Sequence, residues 1–280
     1  MAIRIVTADQ RLAEANNKTS LAIFGPPGVG KTSLLKTLPP DRTVCLDLEA
    51  GLKSVQDWPG ASIPVRSYAD FRDLVVLIGG PDPAADPSAW YSAGHHAHAR
   101  SLHAESGLEA FLAGMSIIFV DSITDLTRQV MAYAKQQPEA FSEKTGRPDI
   151  RGAYGFLGRE VLTALKHLQH APGRTIVFVG VLEKVTDDLN RTTWQPQMEG
   201  SKAGRELPAI VDQVISMHLF GRDAQGNFVL DEKSSERRLV CRAGNPFALP
   251  AKDRSGRLDV TEPPDLAALL AKINTTSKGS

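Results

Sequence analysis

Residues 25–32 read Gly25-Pro26-Pro27-Gly28-Val29-Gly30-Lys31-Thr32. This stretch decides the fold, because few structures other than a phosphate-binding loop need the spacing G-x-x-x-x-G-K-[ST]. Glycines let the backbone curl until successive N–H groups point at one anion. The lysine reaches the β- and γ-phosphates, and the threonine hydroxyl takes a place on Mg²⁺. Leu21-Ala22-Ile23-Phe24, just before, is a short apolar run that suits a buried strand. Thr32-Ser33-Leu34-Leu35-Lys36, just after, opens a helix whose N-terminus faces the phosphates. The expected nucleotide-binding set is Gly25 to Thr32 with Ser33, and Thr32 is also a Mg²⁺ ligand; the loop alone could belong to a kinase, a GTPase or an ATPase. A Gly/Pro-rich turn that binds nothing is the bland alternative, and the flanking strand and helix weigh against it.

A second motif complements the loop. Ser116-Ile117-Ile118-Phe119-Val120-Asp121 is an apolar strand ending in a carboxylate, the Walker B pattern. From the tip of a strand near the loop, Asp121 can hold the metal and its water shell. The next residue is Ser122, not Glu. The base that activates water must then come from elsewhere, and Glu49 is the candidate. It follows the strand Thr43–Leu48 and precedes a sharp turn at Ala50-Gly51. A carboxylate at that strand end can face the γ-phosphate across the crevice at the C-terminal ends of parallel strands. A solvated loop glutamate is the alternative.

Composition sets the class. The chain has 280 residues, with 32 Lys plus Arg against 32 Asp plus Glu, hence no net charge. That argues against a polyanion-coating protein but leaves room for a local basic groove. The two cysteines, Cys45 and Cys241, lie in apolar strand-like runs and read as reduced core residues of a cytoplasmic protein. No apolar run approaches the roughly 20 residues needed to span a bilayer, so no membrane partner is expected.

Strand candidates at Leu21–Phe24, Thr43–Leu48, Ile63–Arg66, Ser116–Asp121 and Thr175–Val181 alternate with helical patterns at Thr32–Thr37, Tyr68–Leu77, Ile123–Gln136 and Tyr154–His170. Such alternation predicts an α/β fold with a mainly parallel sheet covered on both faces. Beyond about residue 210, Val214–Phe220, Asn227–Leu230 and Arg237–Arg242 read as an antiparallel extension. Pro264–Ile273 is a last helix, and 274–280 a polar, disordered tail. One domain is expected over 1–273. Two connections are long: 79–107, which holds His95, His96, His98 and His103, and the polar 183–207. The histidines lack a helical metal-pair spacing, and a solvated loop or short helix is favoured over a metal site.

The phosphate loop, Asp47-Leu48-Glu49-Ala50-Gly51 and Asp121-Ser122 resemble the RecA-type P-loop ATPase core, most of all the short core-only RecA-like proteins of phages that act in recombination and single-strand annealing. Glu206–Val214, Asn245-Pro246 and Ala251–Gly256 resemble their later segments, so the likeness covers about residues 17–273. It implies an ATP- and Mg²⁺-dependent ATPase with Lys31, Asp121 and Glu49 in the catalytic site. It implies single-stranded DNA as partner, a homo-oligomer (ring or filament), a possible single-strand-binding protein partner and, if the chain is phage-encoded, the host cytoplasm. Lys252 and Arg254 would reach a neighbour's γ-phosphate as arginine fingers do. A solvated charged turn is the alternative there. Relatives often place His or Gln where this chain has Leu182, so γ-phosphate sensing would fall to Glu183 or be weaker. The DNA-facing loops would carry Lys144, Arg147 and Arg151, then Lys184, Arg191, Trp194, Lys202 and Arg205, with Trp194 stacking a base. Generic surface charge, with Trp194 as a packing anchor, stays open beside that reading. Two other functions also stay open: an AAA+-like loader or remodeller acting on protein partners, and a nucleotide-gated module with little turnover.

Overall fold

The computed structural model describes residues 18–275 together with Ile5, Thr7, Ala8 and Gln10. The start of the chain and the expected tail at 276–280 lie outside the described residues. Along the chain the elements are β1 (Thr19–Gly25), β2 (Thr43–Asp47), β3 (Ala61–Pro64), α1 (Tyr68–Gly79), α2 (Ala93–Leu102), α3 (Leu108–Ala113), β4 (Ile117–Asp121), α4 (Ile123–Ala134) and α5 (Ile150–Gln169). They continue with β5 (Thr175–Thr186), β6 (Thr192–Pro196), α6 (Ser201–Ile210), β7 (Gln213–Arg222), β8 (Phe228–Leu230), β9 (Glu236–Val240), β10 (Lys252–Asp253), β11 (Thr261–Glu262) and α7 (Leu266–Asn274).

The strands form one sheet in the order β11-β9-β7-β1-β5-β4-β2-β3, with β6 on β5 and with β8 and β10 on β7. From β7 to β3 every neighbouring pair is parallel. Side chains alternate between two buried faces, as a doubly covered sheet requires. Phe24, Leu46, Val120 and Phe178 pack under α1, α4 and α5. Ile23, Cys45, Phe119 and Val177 face Leu34, Leu35 and α7. Cys45 and Cys241 are buried and free, and burial pushes both thiols up, so they stay protonated.

The helix expected at Thr32–Thr37 is present with those bounds, and three other expectations need correction. Thr32–Thr37 is a 3-10 helix, closed by Ser33 N–H to Gly30 O and Leu34 N–H to Lys31 O, both 3.1 Å. Leu38 is extended, and Pro39 and Pro40 after it leave no room for a longer helix. Segment 79–107 is not one loop: it contains α2, capped by Ser92 Oγ, which accepts from His95 N–H. There His95 Nδ1 accepts from Tyr91 N–H, which leaves Nε2 to donate to Asp73 Oδ1 at 3.1 Å. His103 Nε2 meets the other Asp73 oxygen at 3.3 Å, so two of the histidines pin α2 to α1. Segment 183–207 is likewise ordered, as the end of β5, a hairpin to β6, and most of α6. Finally, β7 is not part of an antiparallel extension. It runs parallel to β1, because α6 carries the chain back across the sheet, and the antiparallel pairs are those of β8, β9 and β10 with β7, of β11 with β9, and of β6 with β5.

Candidate nucleotide site

The C-terminal ends of β1, β2 and β4 bring the loop and both candidate carboxylates together, with Asp47 and Asp121 in register. Gly25 ends β1 so close to β7 that a Cβ there would lie 2.6 Å from Met217 O, which excludes any side chain. Lys31 is almost fully buried, and its Nζ donates to Gly25 O at 2.9 Å and Pro26 O at 3.0 Å, arching back over its own loop. Burial lowers its pKa, while the Asp121 and Glu49 carboxylates pull it up.

Thr32 Oγ1 donates to Asp121 Oδ2 at 2.6 Å. Asp121 is 2% exposed, and burial pushes its carboxyl up to about 6, with the Thr32 hydrogen bond opposing and the Glu49 charge adding to the rise. A half-buried hydroxyl and a buried carboxylate side by side, with no cation in ion-pair contact among the described residues, are hard oxygen donors that suit Mg²⁺. The Asp121–Ser122 peptide bond is cis. Ser122 caps α4, its Oγ accepting from Asp125 N–H.

Glu49 is exposed at the mouth of this site on a turn that is pinned twice. Leu48 N–H and Glu49 N–H both donate to Asp121 O, at 2.7 and 3.3 Å. Asp47 Oδ1 accepts from Ala50 N–H at 2.8 Å, holding Ala50 at φ 61°, and Arg66 clasps both Asp47 Oδ2 (3.2 Å) and Asp47 O (2.7 Å). Asp47 and Arg66 thus aim Glu49. Sequence reasoning gave them no role; an acid two residues before the candidate base was the available signal.

The remaining expected residues are more dispersed. Glu183 lies on β5 two residues beyond Val181, which is level with Gly25, and makes no ion pair among the described residues. Lys252 Nζ donates to Pro208 O (2.6 Å) and Val211 O (2.7 Å), and Arg254 bonds Ala209 O (3.0 Å) and Asp212 Oδ1 (3.1 Å). Both heads therefore cap the C-terminal end of α6 in their own chain, where carbonyls lack intrahelical donors. Lys144, Arg147 and Arg151 are exposed on the α4–α5 connection and the start of α5. Exposed Phe141 and Tyr154 flank them, two aromatics that sequence reasoning passed over. Lys184 and Arg191 sit on the β5–β6 hairpin and exposed Arg205 on α6. The side chain of Lys202 lies outside the described residues.

Trp194 is half-buried. Its ring meets His218 edge-on at 5.2 Å, and Lys184 Nζ lies 4.8 Å from the ring centroid. Trp194, His218 and Glu232 line a cavity of about 330 Å³ whose other wall is Pro26, Pro27 and Gly28. Trp194 thus packs on His218 and faces the phosphate loop across this cavity.

Residues 17–255 match the AAA domain family, and the chain belongs to it. The loop, the Thr32–Asp121 pair and the mainly parallel sheet are those of a P-loop nucleotide-binding domain. No curated protein matches the chain. Among solved structures it is similar to a KaiC-like protein of the archaeon Pyrococcus horikoshii OT3 (14% identity, 83% of this chain and 84% of that one, TM-score 0.36). A RadB recombinase is similar at 10% identity, over 84% of this chain and 90% of that one, TM-score 0.32. An ATPase of a type III secretion system of pathogenic bacteria is similar at 16% identity, over 73% and 54%, TM-score 0.34. Among the described residues no helix is long and apolar enough to cross a membrane.

Proposed function

We propose that the chain hydrolyses ATP with Mg²⁺ and couples turnover to single-stranded DNA, in recombination or strand annealing of the phage type. The observation that carries this reading is the path of β5. This strand lies beside β1, runs past the phosphate loop and becomes the arm of the hairpin bearing Lys184 and Arg191. A nucleotide in the loop would lie across the shared cavity from Trp194, the route by which turnover would reach the hairpin. Three cations flanked by exposed Phe141 and Tyr154 fit a strand whose bases stack while its phosphates are neutralised. In the chemistry, Lys31 and the loop N–H groups bind phosphate, Thr32 and Asp121 would hold Mg²⁺, which neutralises developing charge when bound, and Glu49 takes a proton from water. Single-strand coating would make the active form a homo-oligomer, with a single-strand-binding protein as a natural partner and the host cytoplasm as its place.

The test is ATP hydrolysis with and without single-stranded DNA. Stimulation by DNA at low salt, lost as salt rises, is expected. Hydrolysis indifferent to saturating DNA moves a protein-remodelling ATPase to first place. No hydrolysis under either condition leaves a nucleotide-gated module.

A further inference from the structure

On β9, Arg237 and Arg238 point to opposite faces of the strand. Arg238 is engaged: its Nε donates to Glu236 Oε1 at 3.1 Å, and its guanidinium lies 4.3 Å from the Phe228 ring centroid. Arg237, opposite Leu219 of β7, turns towards the phosphate loop. A Cβ built on Gly30 would lie 2.9 Å from both Cζ and an Nη of Arg237. The guanidinium therefore rests on the backbone of the loop's last glycine, which holds φ +98°. It is solvent-exposed and has no hydrogen bond or ion pair among the described residues.

A cation in that position sits beside the loop N–H dipoles and Lys31, all of positive sign, and no carboxylate pairs with it among the described residues. An anion in the loop would offset the repulsion. The sheet order says which part of it. Asp121 on β4 and Glu49 after β2 lie to one side of β1, and Arg237 on β9 lies to the other, across β7. A phosphate chain with its reactive end at Asp121 and Glu49 places its α/β end near Gly30, beneath Arg237.

We propose that Arg237 binds the α/β-phosphates of the nucleotide in cis, as a second cation beside Lys31 that belongs to the non-transferred part of the substrate. This rests on the nucleotide site described above and not on its DNA partner. An α/β contact serves ATP and ADP alike, whereas a γ-phosphate contact serves ATP alone. A charged fork on phosphate is also only partly replaced by a point charge.

The experiment is equilibrium binding of Mg-ATP and Mg-ADP, without DNA, to wild type, Arg237→Ala, Arg237→Lys and Lys31→Ala, with melting of each apo-protein. Arg237→Ala should weaken both nucleotides at least tenfold by a common factor. Arg237→Lys should recover part of that loss, and apo melting temperatures should not change. Affinities of Arg237→Ala within twofold of wild type overturn the proposal. So does a loss confined to ATP, which would put the guanidinium on the γ-phosphate. Wild type that binds neither nucleotide overturns the nucleotide site as well. A DNA-insensitive ATPase that still shows the common loss sinks only the DNA reading.

Discussion

Thr32 and Asp121 share a 2.6 Å hydrogen bond at the centre of the site, a hydroxyl from the phosphate loop donating to a carboxylate from β4. The bond joins the two motifs in the geometry a metal needs, and it keeps a buried acid partly satisfied without one. Burial nonetheless raises the pKa of Asp121 to about 6, against the pull of this bond.

That shift predicts a pH dependence of the free protein. A carboxyl whose folded pKa exceeds its unfolded value binds more protons folded than unfolded. Its contribution is most favourable below the unfolded pKa, near 4, and is lost as pH rises through about 6. Asp121→Asn, which still accepts from Thr32, should make the apo-protein more stable at pH 8 by up to about 3 kcal/mol. The gain should vanish near pH 4. Urea denaturation at the two pH values checks this; a variant less stable than wild type at pH 8 contradicts it. Mg²⁺-dependent ATP binding by wild type should weaken as pH falls through about 6.

Lys31→Ala should abolish ATP binding, because the loop loses the cation that offsets phosphate charge. Glu49→Gln should keep binding and lose hydrolysis by roughly 10²–10⁴-fold, since the amide accepts no proton from water. Wild-type turnover by Glu49→Gln would remove Glu49 as the base.

Asp47→Asn and Arg66→Ala should lower kcat with little change in nucleotide affinity. Both loosen the turn that aims Glu49 while leaving the phosphate loop untouched. Single-turnover hydrolysis alongside binding separates the two effects. Equal losses in both quantities would point to general misfolding of the strand end.

Lys252→Ala removes the donor to two carbonyls at the end of α6. It should cost about 1 kcal/mol of stability and leave nucleotide affinity within threefold. Unchanged stability with hydrolysis abolished, and recovery on mixing with Lys31→Ala subunits, would instead establish a role across a subunit interface.

Phe141→Ala and Tyr154→Ala should each weaken single-stranded DNA binding by roughly 1–3 kcal/mol if they stack bases. Lys144→Ala with Arg147→Ala should flatten the salt dependence. Trp194→Ala should lower stability more than DNA affinity, since its ring is packed against His218. Fluorescence titration over a range of salt concentrations reads all of these.

What the chain encodes locally was legible without coordinates. The loop glycines, Lys31 and Thr32 are contiguous, Asp121 ends an apolar strand and Glu49 follows another, so short-range sterics and periodicity announce them. Polar composition misled at 183–207, where the exposed face of a hairpin alternates with a packed one and reads as loop. It misled again at 79–107, where α2 packs through Ala99, His95 and His103 in place of an aliphatic stripe. The direction of β7 depended on the crossover through α6, which no window along the chain contains. Arg237 over Gly30, Arg66 on Asp47, and Lys252 on the end of α6 are contacts between residues distant in sequence. They follow from strand order and register, and those are set by how the two faces of the sheet bury their apolar side chains, which is a property of the whole fold.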